Sequence, residues 1–496
     1  MKHKIIKYLL AAFAIIPGLA ATLFIQNCGG AGGPIGGGGG GEGGGYEQEF
    51  WALLSDEQKT ATYVGSEACS NDACHDAGAR SSLTLADLGR GSSRGGRHSS
   101  HYQDWLVTKH GQNNVGCERC HGPGSKHVAS PSKTNILTFP GAISSYVCAQ
   151  CHGKTFEEWE ASAHSELVET PINSAISNPS GQKNTWCIVC HSALVRTSIS
   201  EKGIDFSTLP NEEIVELAKT TLDNFPYTAT CVVCHDPHRV TGNLTWEGKE
   251  VQLRHLVFNT DTSQIGPGTK PPQFTQFNHI CAECHNGRGT DPSDTALQQN
   301  TTRPSMHDSN QFNMLMGIGG VDNGNVGEVT AHATAPGQCS HCHMGDSRHT
   351  FTVSYDTGCA PCHTAADAAA RASALKDEMI YKTYALKTRL ENWAQATFGD
   401  SNAWEYTANG GYSDQSQIPI EVKRARHNYY FIIRDASWAI HNSAYARLLI
   451  IVANENMDAL GPKASASKKM PSKDAMLRSI LEDVAKARRA DEIDRD

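Results

Sequence analysis

Apolar and polar positions are distributed unevenly along the chain. Residues 8–25 are almost continuously apolar behind Lys2, Lys4 and Lys7, and residues 29–45 are nearly all glycine. Residues 49–59 read as a short helix. From there to residue 363 the clearest helical run opens at Pro210, with Glu212 and Glu213 in its first turn and Ile214, Leu217, Ala218 and Leu222 on one face. Residues 81–97 are rich in Ser, Gly and Arg, the composition of a surface loop. Residues 286–338 are heavy in Asn, Gly, Thr and Asp, and a loop of that size is usually either functional or poorly ordered. Helical periodicity returns at residues 365–396 and 418–460, on either side of a Gly-, Asn- and Ser-rich turn. In the second run His427, Phe431, Arg434, Trp438, His441, Tyr445, Leu448 and Val452 alternate at intervals of four and three, one stripe of a single helix. Residues 463–496 are charged and weakly amphipathic. The pattern predicts a mainly α fold with much irregular coil, little sheet and long C-terminal helices.

A chain of 496 residues ordinarily buries two or more apolar cores. Cysteine and histidine point to another filling. Around Val115 the sequence reads Gly-Cys117-Glu-Arg-Cys120-His121-Gly-Pro-Gly-Ser-Lys-His127. Two cysteines two residues apart, followed at once by histidine, are the attachment signature of c-type haem: the thiols add to the two porphyrin vinyl groups and the imidazole faces the iron. The signature recurs at Cys148, Cys151 and His152; Cys187, Cys190 and His191; Cys231, Cys234 and His235; Cys281, Cys284 and His285; Cys339, Cys342 and His343; and Cys359, Cys362 and His363. An eighth, Cys69, Cys74 and His75, has four residues between the cysteines and reads as a haem site with a widened loop. A zinc knuckle, a redox dithiol or a disulfide explains one such pair, but not a histidine after every pair. Eight covalently bound haem c groups are therefore expected to form much of the core. Motifs 31 to 44 residues apart from Cys117 to Cys231 leave no room for independent domains between them.

Compartment follows from the remaining cysteine. Of seventeen, sixteen lie in motifs and Cys28 alone does not. The lysines and apolar run before it read as an export signal, in agreement with haem attachment to exported chains. Cys28, followed by glycines, looks like a bacterial lipoprotein site, although Gln26 and Asn27 depart from the small residues such a site prefers; Gly18-Leu19-Ala20 offers ordinary signal-peptidase cleavage instead. Lipidation at Cys28 would anchor the protein at an outer membrane, on its periplasmic or cell-surface face. The glycine run would then be a flexible tether spanning about 20 to 25 Å. Segment limits follow: an export signal at 1–27, an acylated cysteine and tether at 28–48, an octahaem-binding domain at 49–363, a C-terminal helical segment at 364–460 and a charged tail at 461–496. The net charge of −9, with no dense basic stretch, speaks against a nucleic-acid partner.

Each motif histidine supplies one axial ligand, and the second decides between electron transfer and chemistry, because two strong ligands leave no position for substrate. Fourteen histidines lie outside the motifs and the export signal. His110 and His164 each follow a tryptophan by five residues, Trp105 and Trp159; His238 completes Cys-His-Asp-Pro-His; His127 closes the Gly-Pro-Gly run; His279 precedes Cys281 by two; His349 follows His343 by six. With His332 and His441 these are the eight distal candidates, with His98, His101 and His427 in reserve. Met306, Met314, Met316 and Met344 are the other axial candidates, read as loop or packing residues.

The Trp105 to His110 and Trp159 to His164 spacings, together with the Cys117 to His127 cassette, resemble the multihaem cytochrome superfamily of hydroxylamine oxidoreductase, pentahaem nitrite reductase and octahaem tetrathionate reductase. Ala439-Ile440-His441-Asn442 is similar to the histidine-asparagine helix that follows the last haem there. The resemblance covers roughly residues 65–460 and implies a multihaem cytochrome c fold, with haems in alternating parallel and perpendicular stacked pairs. The reductases of that group often mark the reactive haem with CxxCK, a motif this sequence lacks.

The expectation is an exported octahaem cytochrome that relays electrons through bis-histidine haems to partner c-type cytochromes, outer-membrane conduit proteins, or an extracellular acceptor such as a metal oxide or small molecule. Two alternatives stand beside it. One is an oxidoreductase acting on a small nitrogen or sulfur compound at one open haem, with the altered first motif as its site. The other is a homo-oligomeric conducting filament.

Overall fold

The computed structural model describes residues 45–70, 75, 101–179, 182–202, 204–324, 329–360, 362–461 and 470–493. The expected export signal, Cys28, most of the glycine run, Cys74, the loop at 81–97 and His98 lie outside the described residues. Among those described, the chain is mainly helical, and its β structure is two isolated bridges, His235 with Leu253 and Leu244 with Glu250. No helix among the described residues is long and apolar enough to cross a membrane.

Before residue 364 most helices are short and many are the motifs themselves. Cys117–His121, Cys231–Cys234 and Cys339–His343 are each about one turn. A turn is what the Cys-x-x-Cys spacing needs, since residues three apart on a helix lie on one side. The first of them stops at Gly122, φ 76°, where a Cβ would come within 2.9 Å of Leu54. The segment expected to be one short helix near residue 50 is two, Glu47–Leu53 and Asp56–Lys59, the second opened by a Ser55–Gln58 capping box.

Four longer helices, α1 (Glu169–Ser177), α2 (Gln182–His191), α3 (Ala193–Lys202) and α4 (Asn211–Asn224), enclose a core of Ile172, Ala175, Ile188, Val189, Val195, Phe206, Ile214 and Ala218. The helix expected after Pro210 is α4. Its Thr221 hydroxyl meets that of Ser192 at 2.7 Å, which ties it to the residue after His191.

The C-terminal part is a bundle of α5 (Ala365–Phe398), α6 (Ile420–Asp435), α7 (Ser443–Ala459) and α8 (Lys473–Ile493) around Leu386, Leu390, Trp404, Tyr429, Tyr430 and Leu449. Thr364 caps α5 by accepting from the Asp367 N–H, and Gly399 ends it at φ 73°.

The single stripe expected across residues 418–460 is corrected: the run is two helices. Ala436, Trp438 and Ala439 have φ of 60°, 53° and 71°. The cause is local polar competition. The Asp435 carboxylate accepts from the Ser437 hydroxyl and from its N–H at 3.3 Å, while Asn442 caps α7 by accepting from the Tyr445 N–H. The segment expected to be a charged tail carries α8, whose Met476, Ile480, Ala487 and Ala490 are buried in the bundle core or beside it.

Candidate cofactor site

Each of the eight motif histidines faces a second imidazole. Ring centres are 6.3 Å apart for His75 with His127, 5.9 Å for His121 with His238 and 6.2 Å for His152 with His110. They are 6.1 Å apart for His191 with His307, 6.3 Å for His235 with His349 and 6.1 Å for His285 with His164. For His343 with His441 and His363 with His332 the separations are 6.3 and 6.4 Å. Two imidazoles bound on opposite sides of one metal, at a metal–nitrogen bond of about 2.0 Å, put their ring centres roughly 6.3 Å apart. The residues therefore fit a metal held between each pair.

Seven of the facing histidines spend Nδ1 on a carbonyl or carboxylate of the protein. Nδ1 lies 2.7 Å from the Leu137 carbonyl in His121 and 2.9 Å from that of Ser132 in His127. In His235, His332, His343 and His349 it lies 2.7, 2.8, 3.0 and 3.0 Å from the carbonyls of Val251, Ile440, Phe351 and Ser347. In His441 it meets the Asp435 carboxylate at 2.7 Å. Nδ1–H donating to a carbonyl or carboxylate fixes the tautomer and leaves Nε2 for a metal. His341 and His427 do the reverse, with Nε2 at 3.1 Å from the Ala360 carbonyl and 2.9 Å from the Gly319 carbonyl.

His279 is not brought opposite a motif histidine. Its Nδ1 accepts from the N–H groups of Cys281 and Ala282 at 3.2 and 3.1 Å, so it caps the turn of the motif that follows it. It also lies within 4.8 Å, ligand atom to ligand atom, of Cys281 and Cys339, both of which are motif cysteines. The imidazole opposite His191 is His307, from the motif-free segment that also supplies His332. Position carries a signal here: a histidine two residues ahead of a helical turn is placed to cap it, whereas one far from any motif is not. His101 is also 6.3 Å from His75 and 5.1 Å from His238, at the edge of the first two sites.

The tryptophan–histidine spacing has a structural cause. Trp105 Nε1 donates to the Val115 carbonyl at 3.1 Å and Trp159 Nε1 to the Ala229 carbonyl at 2.9 Å. Both carbonyls lie two residues ahead of a motif, Cys117 and Cys231, so each indole pins its histidine-bearing turn to the approach of an attachment site.

No protein-family model matches the chain, and no curated protein does. Among solved structures it is similar to an undecaheme cytochrome from the S-layer of Carboxydothermus ferrireducens, at 21% identity and a TM-score of 0.45 over 71% of this chain and 51% of that one. It is also similar to the outer cell wall cytochrome OcwA, at 18% identity and a TM-score of 0.45 over 69% of this chain and 70% of that one. The chain spans about half the length of the first of these.

Burial keeps most of the facing imidazoles neutral, the form that binds metal. It pushes His164 and His235 down to about 4 and His238 to about 3. His441 differs: burial opposes its charged form, but the Asp435 carboxylate prevails and raises it. A carboxylate partner strengthens an imidazole as a ligand.

The motif cysteines lie close to one another across motifs. None of the fifteen described cysteines is in a disulfide. Sulfurs of different motifs meet in pairs: Cys69 with Cys117, Cys148 with Cys231, Cys190 with Cys284, and Cys281 with Cys339. At longer range Cys120 feels Cys148, Cys234 feels Cys281 and Cys342 feels Cys359. Proximity places the motifs in the order Cys69, Cys117, Cys148, Cys231, Cys281, Cys339 and Cys359. The motif of Cys187 and Cys190 joins from the side, at Cys284. Sequence order alone would have put it in the middle of the row.

Proposed function

We propose that the chain is an exported octahaem c-type cytochrome that carries electrons along a branched row of bis-histidine haems. The reading rests on one observation above all, the facing of every motif histidine by a second imidazole at the separation two ligands of one iron require. The proposed axial pairs are those eight, with His307 in the place expected for His279 and with Cys74 completing the first attachment site. Bound haem supplies a one-electron ferric–ferrous couple.

The residues then have separate tasks. The cysteine pairs fix each macrocycle, the motif histidines and their partners close both faces of the iron, and carbonyls and Asp435 orient the rings. Closure on both sides leaves no position for a substrate, which favours relay over catalysis. Sulfur contacts between motifs supply short steps from one group to the next. Lipidation at Cys28, the glycine tether, an outer-membrane location and transfer to other c-type cytochromes or an extracellular acceptor belong to the same proposal, supported by the sequence features already given.

Pyridine haemochrome analysis should return eight haems per chain, and optical and EPR spectra of the oxidised protein should contain low-spin iron only. His307→Ala should convert one haem to high spin and His279→Ala none. A high-spin signal in the unaltered protein that changes with nitrite or hydroxylamine would reverse the reading in favour of an oxidoreductase.

A further inference from the structure

The side branch carries a buried charge that ligation and attachment do not use. Arg196, on α3, is 3% exposed, and its guanidinium lies between the two motifs that meet at the branch. Nη2 donates towards Cys190 Sγ at 3.8 Å and Cys284 Sγ at 3.6 Å. Nε donates to the Val189 carbonyl at 3.1 Å and Nη1 to the Thr275 carbonyl at 3.0 Å. Nη1 also lies 3.4 Å from Glu283 Oε1, and the other oxygen of that carboxylate is 3.2 Å from His255 Nε2. Four of the five N–H groups that a guanidinium offers thus have acceptors, and Glu283 lies beside it as a counter-charge.

A purely structural arginine would be satisfied by its two carbonyls and Glu283. Here the free fork is turned to the sulfurs, and the compensating carboxylate lies on the other nitrogen, so the positive end of the pair points at both attachment sites. Arginine stays charged at any working pH. Reduction of a ferric haem lowers its charge by one. A fixed cation beside it in a dry site therefore favours the ferrous state, far more strongly than the same cation would in water.

We propose that Arg196 sets the reduction potentials of the two haems joined at the branch, those attached at Cys187/Cys190 and Cys281/Cys284, and makes them electron-accepting relative to the same sites without it. The proposal rests on the haem-relay reading above. With haem bound at both sites, electrons would be exchanged with neighbouring haems of the same chain, Arg196 would supply a fixed positive charge beside both, and no bond to Arg196 would form or break. Glu283 limits the effect by partial compensation.

The test is a spectroelectrochemical titration of the complete haem-loaded protein and three variants. Arg196→Gln should lower the ferrous-to-ferric ratio of the branch haems about ten-fold at fixed potential, a shift of about 59 mV for one electron. Glu283→Gln should shift the same haems the opposite way, and Arg196→Lys should stay near the unaltered protein. Opposite signs are something a loss of packing would not produce. Superimposable curves, or Arg196→Gln and Glu283→Gln moving in one direction, would overturn the proposal. Should Arg196→Gln fail to hold its haems, the sign of the Glu283→Gln shift decides, an upward shift supporting the proposal and any other overturning it. Failure of the parent reading looks different, because the unaltered protein would then lack eight low-spin haems.

Discussion

From residue 365 onward the chain buries its own side chains: Leu386, Leu390, Tyr429, Phe431, Tyr445 and Leu449 are all fully enclosed, on helices of 16 to 34 residues. Between residues 101 and 363 the apolar clusters outside α1 to α4 are small, and many helices are a single turn ending at a motif. Isolated helices that short are unstable in water. The bundle is thus a self-sufficient core, whereas the motif region outside α1 to α4 is largely a set of turns that needs something rigid to pack against. The difference explains how some 260 residues can fold without sheet and with little continuous apolar packing of their own: by the proposal, covalent porphyrins take the place of the missing side chains.

The strongest way to break the comparison is to remove the cofactor. Replacing the motif cysteines by serine should abolish amide protection over residues 101–363 while the cores of α5, α6 and α7 keep theirs, measured by hydrogen exchange. Equal loss in both regions would mean that the bundle leans on the haems as well. Next comes Leu386→Ala in the haem-loaded protein. A fully buried leucine in a packed core costs about 2–5 kcal/mol on truncation to alanine, so exchange in α5 and α6 should accelerate while the haem spectra stay unchanged.

Acid and base should also act mainly on the bundle. Glu405 is buried, and its carboxyl, pushed up to about 7 by burial and by Asp483, takes hydrogen bonds from the Tyr430 hydroxyl at 2.9 and 2.8 Å. The folded state binds this proton more tightly than the unfolded chain does. Its contribution to stability is therefore complete below about 4.5 and is lost as the pH rises through about 7, amounting to about 3 kcal/mol at most. Denaturant unfolding of the bundle across that window should lose most of this slope in Glu405→Gln. The smallest effect is expected at the surface. Arg447 and Glu378 meet at 2.7 Å but are 43% and 30% exposed, and Arg447 holds the Glu378 carboxyl down to about 2. Breaking the pair with Arg447→Gln should cost under about 1 kcal/mol, less in high salt.

Helical content and the scarcity of strand were legible because each depends on residues close in sequence: a cap, a 3.6-residue period. Two features were not. Periodicity carries the stripe from His427 to Val452 through residues 436–442, because it counts apolar positions and does not register that Asp435, Ser437 and Asn442 together bind the backbone out of a helix. Which imidazole faces which motif histidine was hidden for the opposite reason. The facing pairs are long-range, such as His191 with His307, and the proximity of His279 to Cys281 reflects the capping of a turn. The lateral position of the Cys187 motif is of this kind too, since it arises from the α1 to α4 packing.

The break at residues 436–442 joins the two regions more tightly than packing alone. It supplies His441 to face His343 and the Ile440 carbonyl that receives Nδ1 of His332, so a bundle residue and a bundle carbonyl complete two sites rooted in the other half. With haem at Cys339 and Cys342, detaching the bundle would strip one imidazole from an iron. Undocking would therefore announce itself as a colour change, and the pigment would serve as a built-in gauge of whether the two halves are clasped.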